Sequence, residues 1–307
     1  MYAIELLTNF ISQVSGIPYE KFASIRTDGS VDVQEKIKNL LDKRIVLVGQ
    51  DRFNPYQIDT WLVSQPTQHP VLLLEERMLR PSNYYNFEKL KTITYFNETI
   101  TAIQLMLINK SYYEFDISNG SKWMLLGRTP RRHRVYINDT WTPKFQHNLI
   151  YSFGTDTFFG DYNFLKHRLQ TQLMCANNLQ SLQTLYNSAC GSIVSETMDL
   201  EFGLTEKTFQ PIMALHPILM IAPPGAVKFL RNHGFDMFDD LLDHSYDNID
   251  NVNERIDCLF TANHDVISKG LDRTQISNRL INNQKHLFDF YQTVMKNFAV
   301  EIKNFYN

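Results

Sequence analysis

The sequence predicts an α/β protein with two Rossmann-like domains and long C-terminal helices. Two observations lead to this prediction. Short apolar runs of the kind that form buried parallel strands alternate with segments of helical period over most of the chain. Towards the C-terminus the strand-like runs stop and apolar residues recur only at helical spacing. Strands that alternate with helices in this way form a parallel sheet covered by helices.

The first predicted domain covers residues 1–118. Its strands are three apolar runs, namely RIVLVG at 44–49, PVLLL at 70–74 and TITYF at 92–96. Helices are predicted around these strands, at 2–15, 33–41, 57–63 and 99–107. Asp51 follows the first of these strands, and Glu75 and Glu76 follow the second. Ligands of parallel sheets bind beyond the carboxyl ends of the strands, so these acids are candidates for a site.

The second predicted domain covers residues 119–270 and begins at an Asn-Gly-Ser turn. Its strands are predicted at 122–126, 148–153, 192–195 and 217–222. Its helices are predicted at 165–178, from Thr205 onwards, at 226–233 and at 252–269. The remaining segment, 271–307, keeps an apolar stripe at helical spacing and predicts one long helix.

A basic loop is predicted at 128–134, after the first strand of the second domain. It contains four arginines and one histidine in seven residues. The guanidinium group is a planar fork that binds phosphate oxygens through two hydrogen bonds. The segment therefore indicates an anionic ligand, although a solvated basic loop or a nucleic-acid contact would have the same composition.

A second polar cluster follows the strand at 192–195. Glu196 ends that strand, and Thr205 stands at a helix N-cap with Glu206 and Lys207 in the first turn. The N-terminus of a helix attracts phosphate through its amides and its dipole, and Lys207 adds a positive charge. The cluster predicts a phosphate-binding site, whereas an ordinary capped helix is the alternative.

The segment 191–240 resembles the donor-binding segment of fucosyltransferase-type enzymes of the GT-B fold. That family carries a Phe-Glu-Asn-Ser run after a strand and then a Tyr-Val-Thr-Glu-Lys run that opens a helix. The counterparts here are Ser195-Glu196-Thr197 and Gly203-Leu204-Thr205-Glu206-Lys207, and the spacing between the two acids agrees. Gly203 replaces the tyrosine of the family, so the resemblance leaves the nucleotide base open.

The resemblance implies a two-domain glycosyltransferase that takes its sugar from a nucleotide-diphosphate sugar. It implies that 271–307 packs back on the first domain, and that the second domain binds the donor without a metal or a further cofactor. The implied donor-binding residues are Arg128, Arg134, Glu196, Thr205, Glu206 and Lys207, with Glu206 accepting hydrogen bonds from the ribose. An inverting reaction, which we expect, needs a carboxylate base from the first domain, for which the candidates are Asp51, Glu75 and Glu76.

The acceptor is expected to be a hydroxyl of a glycan or of a modified DNA base, so DNA is a candidate partner. Two other functions fit the same residues. One is a nucleotide- or glycan-binding protein that lacks the catalytic base. The other is a nucleic-acid-binding protein in which the segment 128–134 grips the phosphate backbone, and this function predicts an affinity that falls steeply with salt.

Composition sets the remaining expectations. The chain has 307 residues, of which 43% are hydrophobic and 21% are charged, as in globular proteins. A net charge of −3 provides no general attraction for nucleic acids. Three cysteines without a CxxC pair indicate a reducing, cytoplasmic location, and no apolar stretch is long enough for a membrane span. His216 lies in an apolar run and is predicted to be a buried, hydrogen-bonded histidine.

Overall fold

The computed structural model shows an α/β protein with two compact units, one formed by residues 1–101 and 291–307 and the other by residues 102–290. It describes the following residues: 12–13, 16, 22–25, 46–49, 71–75, 90–94, 115–117, 120–127, 131–153, 158–159, 178–196 and 204–306. None of the helices in these ranges is both long enough and apolar enough to span a membrane.

The first unit contains a four-stranded parallel sheet with the strand order β1-β2-β3-β4. The strands are β1 (Phe22–Ile25), β2 (Val46–Gly49), β3 (Val71–Glu75) and β4 (Leu90–Thr94). The predictions of β2 and β3 are confirmed, and the strand predicted at 92–96 overlaps β4. The sequence analysis missed β1 because FASI has only two large apolar residues and no continuous apolar run. The predicted helices of this region lie outside the described residues, except that residues 12 and 13 are helical.

The second unit contains a five-stranded sheet with the strand order β7-β6-β5-β8-β9. Its strands are β5 (Lys122–Gly127), β6 (Leu149–Phe153), β7 (Phe158–Phe159), β8 (Ala189–Ser195) and β9 (Ile218–Ile221). Only the pairing of β6 with β7 is antiparallel. The chain starts in the middle with β5, moves to one side for β6 and returns to the other side for β8. The carboxyl ends of β5 and β8 therefore flank the point where the winding direction reverses.

The helices in the described part of the chain are α1 (Arg132–Thr140), α2 (Thr142–Phe145), α3 (Asn178–Ser188), α4 (Glu206–Met213), α5 (Ala226–Asn232), α6 (Val252–Ala262), α7 (His264–Lys269) and α8 (Ser277–Tyr306). The helix predicted at 252–269 is divided at Asn263. The side-chain amide of Asn263 donates to the carbonyl oxygens of Leu259 and Asp243, so it shares the Leu259 carbonyl with the backbone N–H of Asn263 at the end of α6.

The core of the second unit is centred on β8, whose seven residues are all buried. Trp123 of β5 is fully buried and packs closely over Gly191 of β8, because a Cβ atom at position 191 would lie 2.6 Å from its ring. The Trp123 Nε1–H donates to the carbonyl oxygen of Val266 at 3.1 Å, which ties the sheet to α7. A rigid strand therefore ends at Glu196, where the predicted site begins.

Candidate phosphate site at the sheet edge

Helix α1 follows the central strand β5, and its N-terminus carries the basic segment. The prediction of a loop over 128–134 is wrong from Arg132 onwards, because Arg132, His133 and Arg134 form the first turn of α1. Arg131 is the N-cap residue in an extended conformation, without a side-chain cap, and the first turn contains no acid. The positive end of the helix dipole is therefore reinforced by cationic side chains.

Arg131 is half-buried, and its Nε atom is inaccessible to solvent. This nitrogen has no hydrogen-bond partner within the ranges that the structure describes. A buried guanidinium N–H without a partner is costly, since it has lost its water without gaining an acceptor. The positive charge of this guanidinium group would attract an anion at the N-terminus of α1.

His133 and Arg134 are directed at the end of β8 and are only 1% and 3% exposed. The His133 Nε2–H donates to the carbonyl oxygen of Glu196 at 3.0 Å. The guanidinium of Arg134 donates to the carbonyl oxygens of Ser195 and Glu196, at 2.8 and 3.1 Å, and to the Ser195 hydroxyl at 3.2 Å. The first turn of α1 is thus fastened to the neighbouring strand. The predicted phosphate contact of Arg134 stays a prediction, because its Nε and Nη2 atoms bind the protein itself.

The other end of α1 is fastened to α6. Asp257 accepts hydrogen bonds from the Trp141 indole N–H at 2.7 Å and from the Tyr136 hydroxyl at 2.9 Å. The Trp141 ring is stacked on Phe260 of α6 with 5.1 Å between the ring centroids. Helix α1 is therefore held at both ends, which fixes the position of its N-terminus.

Glu196 is fully buried and holds the N-terminus of α4. Its Oε1 accepts from the Thr205 backbone N–H at 2.9 Å and from the Thr208 hydroxyl at 2.6 Å. Its Oε2 accepts from the Thr205 hydroxyl at 2.6 Å. These short bonds to a carboxylate are of the strong, charge-assisted kind. Glu196 and Thr205 lie together, as the sequence predicts, and the carboxylate bonds to the start of the helix.

Thr205 is the N-cap of α4, as the sequence predicts. Its hydroxyl oxygen accepts from the backbone N–H of Lys207 at 3.4 Å and from the Lys207 ammonium at 3.2 Å. Two backbone amides of this helix start therefore bond within the protein. Lys207 is half-buried, and Glu206 is the first residue of α4, with its side chain outside the description.

The N-terminus of α5 is also capped internally, by a residue that the sequence analysis did not single out. Asp247 accepts from the backbone N–H groups of Val227 and Lys228, both at 2.9 Å, and its carbonyl oxygen accepts from Gly225 at 2.8 Å. Gly225 has a φ of +84°, which a glycine adopts without strain at this turn. Asp247 lies twenty residues after Val227, in an Asp/Asn-rich segment, so no local pattern reveals the cap.

Of the three acids predicted as catalytic bases, only Glu75 belongs to the described residues. Glu75 is the last residue of β3 and pairs with Thr94, while its side chain lies outside the description. Asp51, Glu76 and Arg128 lie outside the described residues. Their predicted roles stay predictions.

His216 is a buried, hydrogen-bonded histidine, as predicted. Its Nε2–H donates to the Tyr186 carbonyl oxygen at 2.7 Å, which fixes the tautomer, and its Nδ1 accepts from the Ser192 hydroxyl at 2.8 Å. Burial lowers the pKa of His216 to about 3. Burial likewise raises the pKa of the Cys190 thiol to about 11, so this thiol stays protonated and unreactive near neutral pH.

Comparisons with protein families, with curated proteins and with solved structures gave no match for this chain. The described residues contain no group of three or more His, Cys, Asp and Glu side chains that could hold a metal ion.

Proposed function

We propose that the protein is a glycosyltransferase that binds the diphosphate of a nucleotide sugar at the N-terminus of α1 and transfers the sugar to an acceptor hydroxyl. The observation that carries this proposal is the basic start of α1, with no acid in its first turn, at the point where the winding of the five-stranded sheet reverses. The resemblance of 191–240 to fucosyltransferase-type GT-B enzymes adds the reaction class.

The strand order supports a nucleotide site. Counted from the first strand of the sheet, the order β7-β6-β5-β8-β9 is 3-2-1-4-5, which is the order of doubly wound dinucleotide-binding sheets. The antiparallel pairing of β7 departs from the all-parallel pattern, and it lies at the edge away from β8. Such sheets bind their ligands where the strand order reverses, with the phosphates at the start of the helix after the first strand. In this chain that helix is α1.

A comparison of three helix starts supports α1 as the phosphate site. Asp247 caps α5, and Glu196 together with Thr205 caps α4, so carboxylates already occupy the positive ends of both helices. The first turn of α1 instead contains no acid, and Arg131 and Arg132 stand at its start. Anions are stabilised at a helix N-terminus that carries no competing carboxylate. Lys207, at the capped start of α4, would add an ammonium group to the phosphate contacts.

The proposed reaction needs little from the protein at the leaving group beyond fixed positive charge. The bond between the sugar carbon and the diphosphate oxygen breaks, and negative charge grows on that oxygen as the nucleoside diphosphate leaves. Arginine side chains and the dipole of α1 would stabilise this charge because they are oriented before the reaction starts. The acceptor oxygen forms the new bond to the sugar carbon, and in an inverting transfer Asp51, Glu75 or Glu76 would take the proton of this hydroxyl.

A thermal-shift panel tests the proposal. The full-length protein is heated with UDP, GDP, ADP, dTDP and CMP, and then incubated with the sugar conjugate of the nucleotide that stabilises it most. We expect one nucleotide to raise the melting temperature and its sugar conjugate to be hydrolysed slowly. A stabilising nucleotide without hydrolysis or transfer would indicate a binding protein. No stabilisation by any nucleotide would contradict the proposed function.

A further inference from the structure

We infer that Glu196 is a positioning residue for the Lys207 ammonium and acts through the Thr205 hydroxyl. This inference rests on the proposed function, because it assigns Lys207 to the phosphate of the donor. Glu196 would then affect donor binding without contacting the donor.

In the hydrogen bonds that link Lys207, Thr205 and Glu196, each donor and each acceptor can be assigned. The Thr205 hydroxyl donates its one proton to Glu196 Oε2 at 2.6 Å, so its oxygen acts only as an acceptor towards Lys207. That oxygen accepts from Lys207 Nζ at 3.2 Å. A hydroxyl polarised by a carboxylate is a better acceptor for a cation than an isolated hydroxyl. The buried carboxylate of Glu196 thus acts on the Lys207 ammonium through the hydroxyl oxygen of Thr205.

The position of the carboxylate is itself fixed from two sides. Its Oε1 accepts from the Thr205 backbone N–H and from the Thr208 hydroxyl, and its own carbonyl oxygen accepts from His133 and Arg134. Glu196 therefore connects the first turn of α1 with the first turn of α4. Since Glu196 is fully buried, its carboxylate is enclosed by protein groups.

In this arrangement the ammonium group of Lys207 would contact the phosphate of the ligand. The backbone N–H groups of Thr205 and Lys207 are engaged by Glu196 Oε1 and by the Thr205 hydroxyl, so these two amides do not receive the phosphate. The ammonium has three donors, so its bond to Thr205 is compatible with a phosphate contact. Without the Thr205 hydroxyl, this long side chain would sample more rotamers before binding.

A double-mutant cycle between Thr205→Val and Lys207→Met tests the inference. The affinity of the tightest-binding of UDP, GDP, ADP and dTDP is measured by calorimetry, and the melting temperature of each variant is recorded without nucleotide. We expect Thr205→Val to weaken binding about fivefold in the wild-type background and less than about twofold when residue 207 is methionine. The loss of melting temperature should be the same in both backgrounds. Thr205→Ser keeps the hydroxyl and should retain most of the affinity.

Each of the other possible outcomes would contradict the inference. An equal loss of affinity in both backgrounds would show that Thr205 is merely structural and would overturn the inference. The same holds if Lys207→Met weakens binding and Thr205→Val does not. If Lys207→Met binds like the wild type, or if no nucleotide binds, the donor role of Lys207 fails, and the inference fails with it. Lys269→Met, at an exposed i,i+4 pair with Asp265, is the matched control.

Discussion

The histidine at position 216 is neutral because burial disfavours its charged form and because the positive charge of Arg273 adds to this effect. In the unfolded chain the same side chain takes up a proton near its usual pKa of 6.5, while in the folded protein its pKa is about 3. Between these values the unfolded state binds more protons than the folded state. His216 therefore lowers the free energy of unfolding as the pH falls from 6.5 towards 3.

His216→Gln should remove this part of the pH dependence. We expect the variant to be less stable than the wild type at pH 7, because the amide fits the two hydrogen-bond partners less well. The difference should shrink below pH 6.5, at up to about 1.4 kcal/mol per pH unit. Urea titrations of both proteins at pH 7 and pH 5 measure it. A difference that is unchanged between the two pH values would contradict the assigned pKa.

At this edge of the sheet the helices differ in how their N-termini are capped, and the cap of α5 is the simplest to test. Asp247→Asn retains the size of the side chain but replaces one carboxylate oxygen by an N–H₂ group, which cannot accept from a backbone amide. We expect the free energy of unfolding to fall by about 1 to 2 kcal/mol. Asp250→Asn, at an exposed position in the same segment, should change it by less than about 0.5 kcal/mol. Equal effects of the two variants would argue against the cap.

The sequence analysis succeeded for elements that are set by a local pattern. The apolar runs predicted β2, β3, β8 and β9, and Thr205 was predicted as a helix N-cap with Glu206 and Lys207 in the first turn. Helix α1 was not predicted because its first turn is basic, and because His133 and Arg134 are buried through hydrogen bonds to a neighbouring strand. Periodicity of apolar residues cannot detect a helix face of that kind.

The parts of the candidate site that depend on a local sequence pattern could be predicted, and those that depend on tertiary contacts could not. The pairing of Glu196 with Thr205 follows from a strand end and a helix start nine residues apart, so a sequence pattern contains it. The cap formed by Asp247 depends on a contact between residues twenty positions apart, and the hydrogen bonds of His133 and Arg134 depend on a strand that lies far away in the sequence. Such facts arise from tertiary packing and have no local signal.

For the molecule as a whole, the proposed function divides the work between two sets of residues. Donor binding is assigned to residues of the second unit and proton removal to Asp51, Glu75 or Glu76. Changing each acid to its amide should leave the affinity for the nucleotide unchanged. One of the three changes should lower kcat for transfer by about 100- to 10,000-fold, as expected for a general base. If all three variants transfer sugar at the wild-type rate, the inverting mechanism with these bases is wrong.

The most direct test of the phosphate site at α1 is a calorimetric titration of wild type, Arg131→Ala and Arg231→Ala with the nucleoside diphosphate that binds most tightly. Arg231 is an exposed arginine of α5 that pairs with Asp239 at 2.6 Å, so its loss is a matched control. We predict that Arg131→Ala weakens binding by about tenfold to a hundredfold, the contribution of a charge-assisted hydrogen bond. Arg231→Ala should stay within about twofold of the wild type. Equal affinities of wild type and Arg131→Ala, or the absence of binding, would contradict the account.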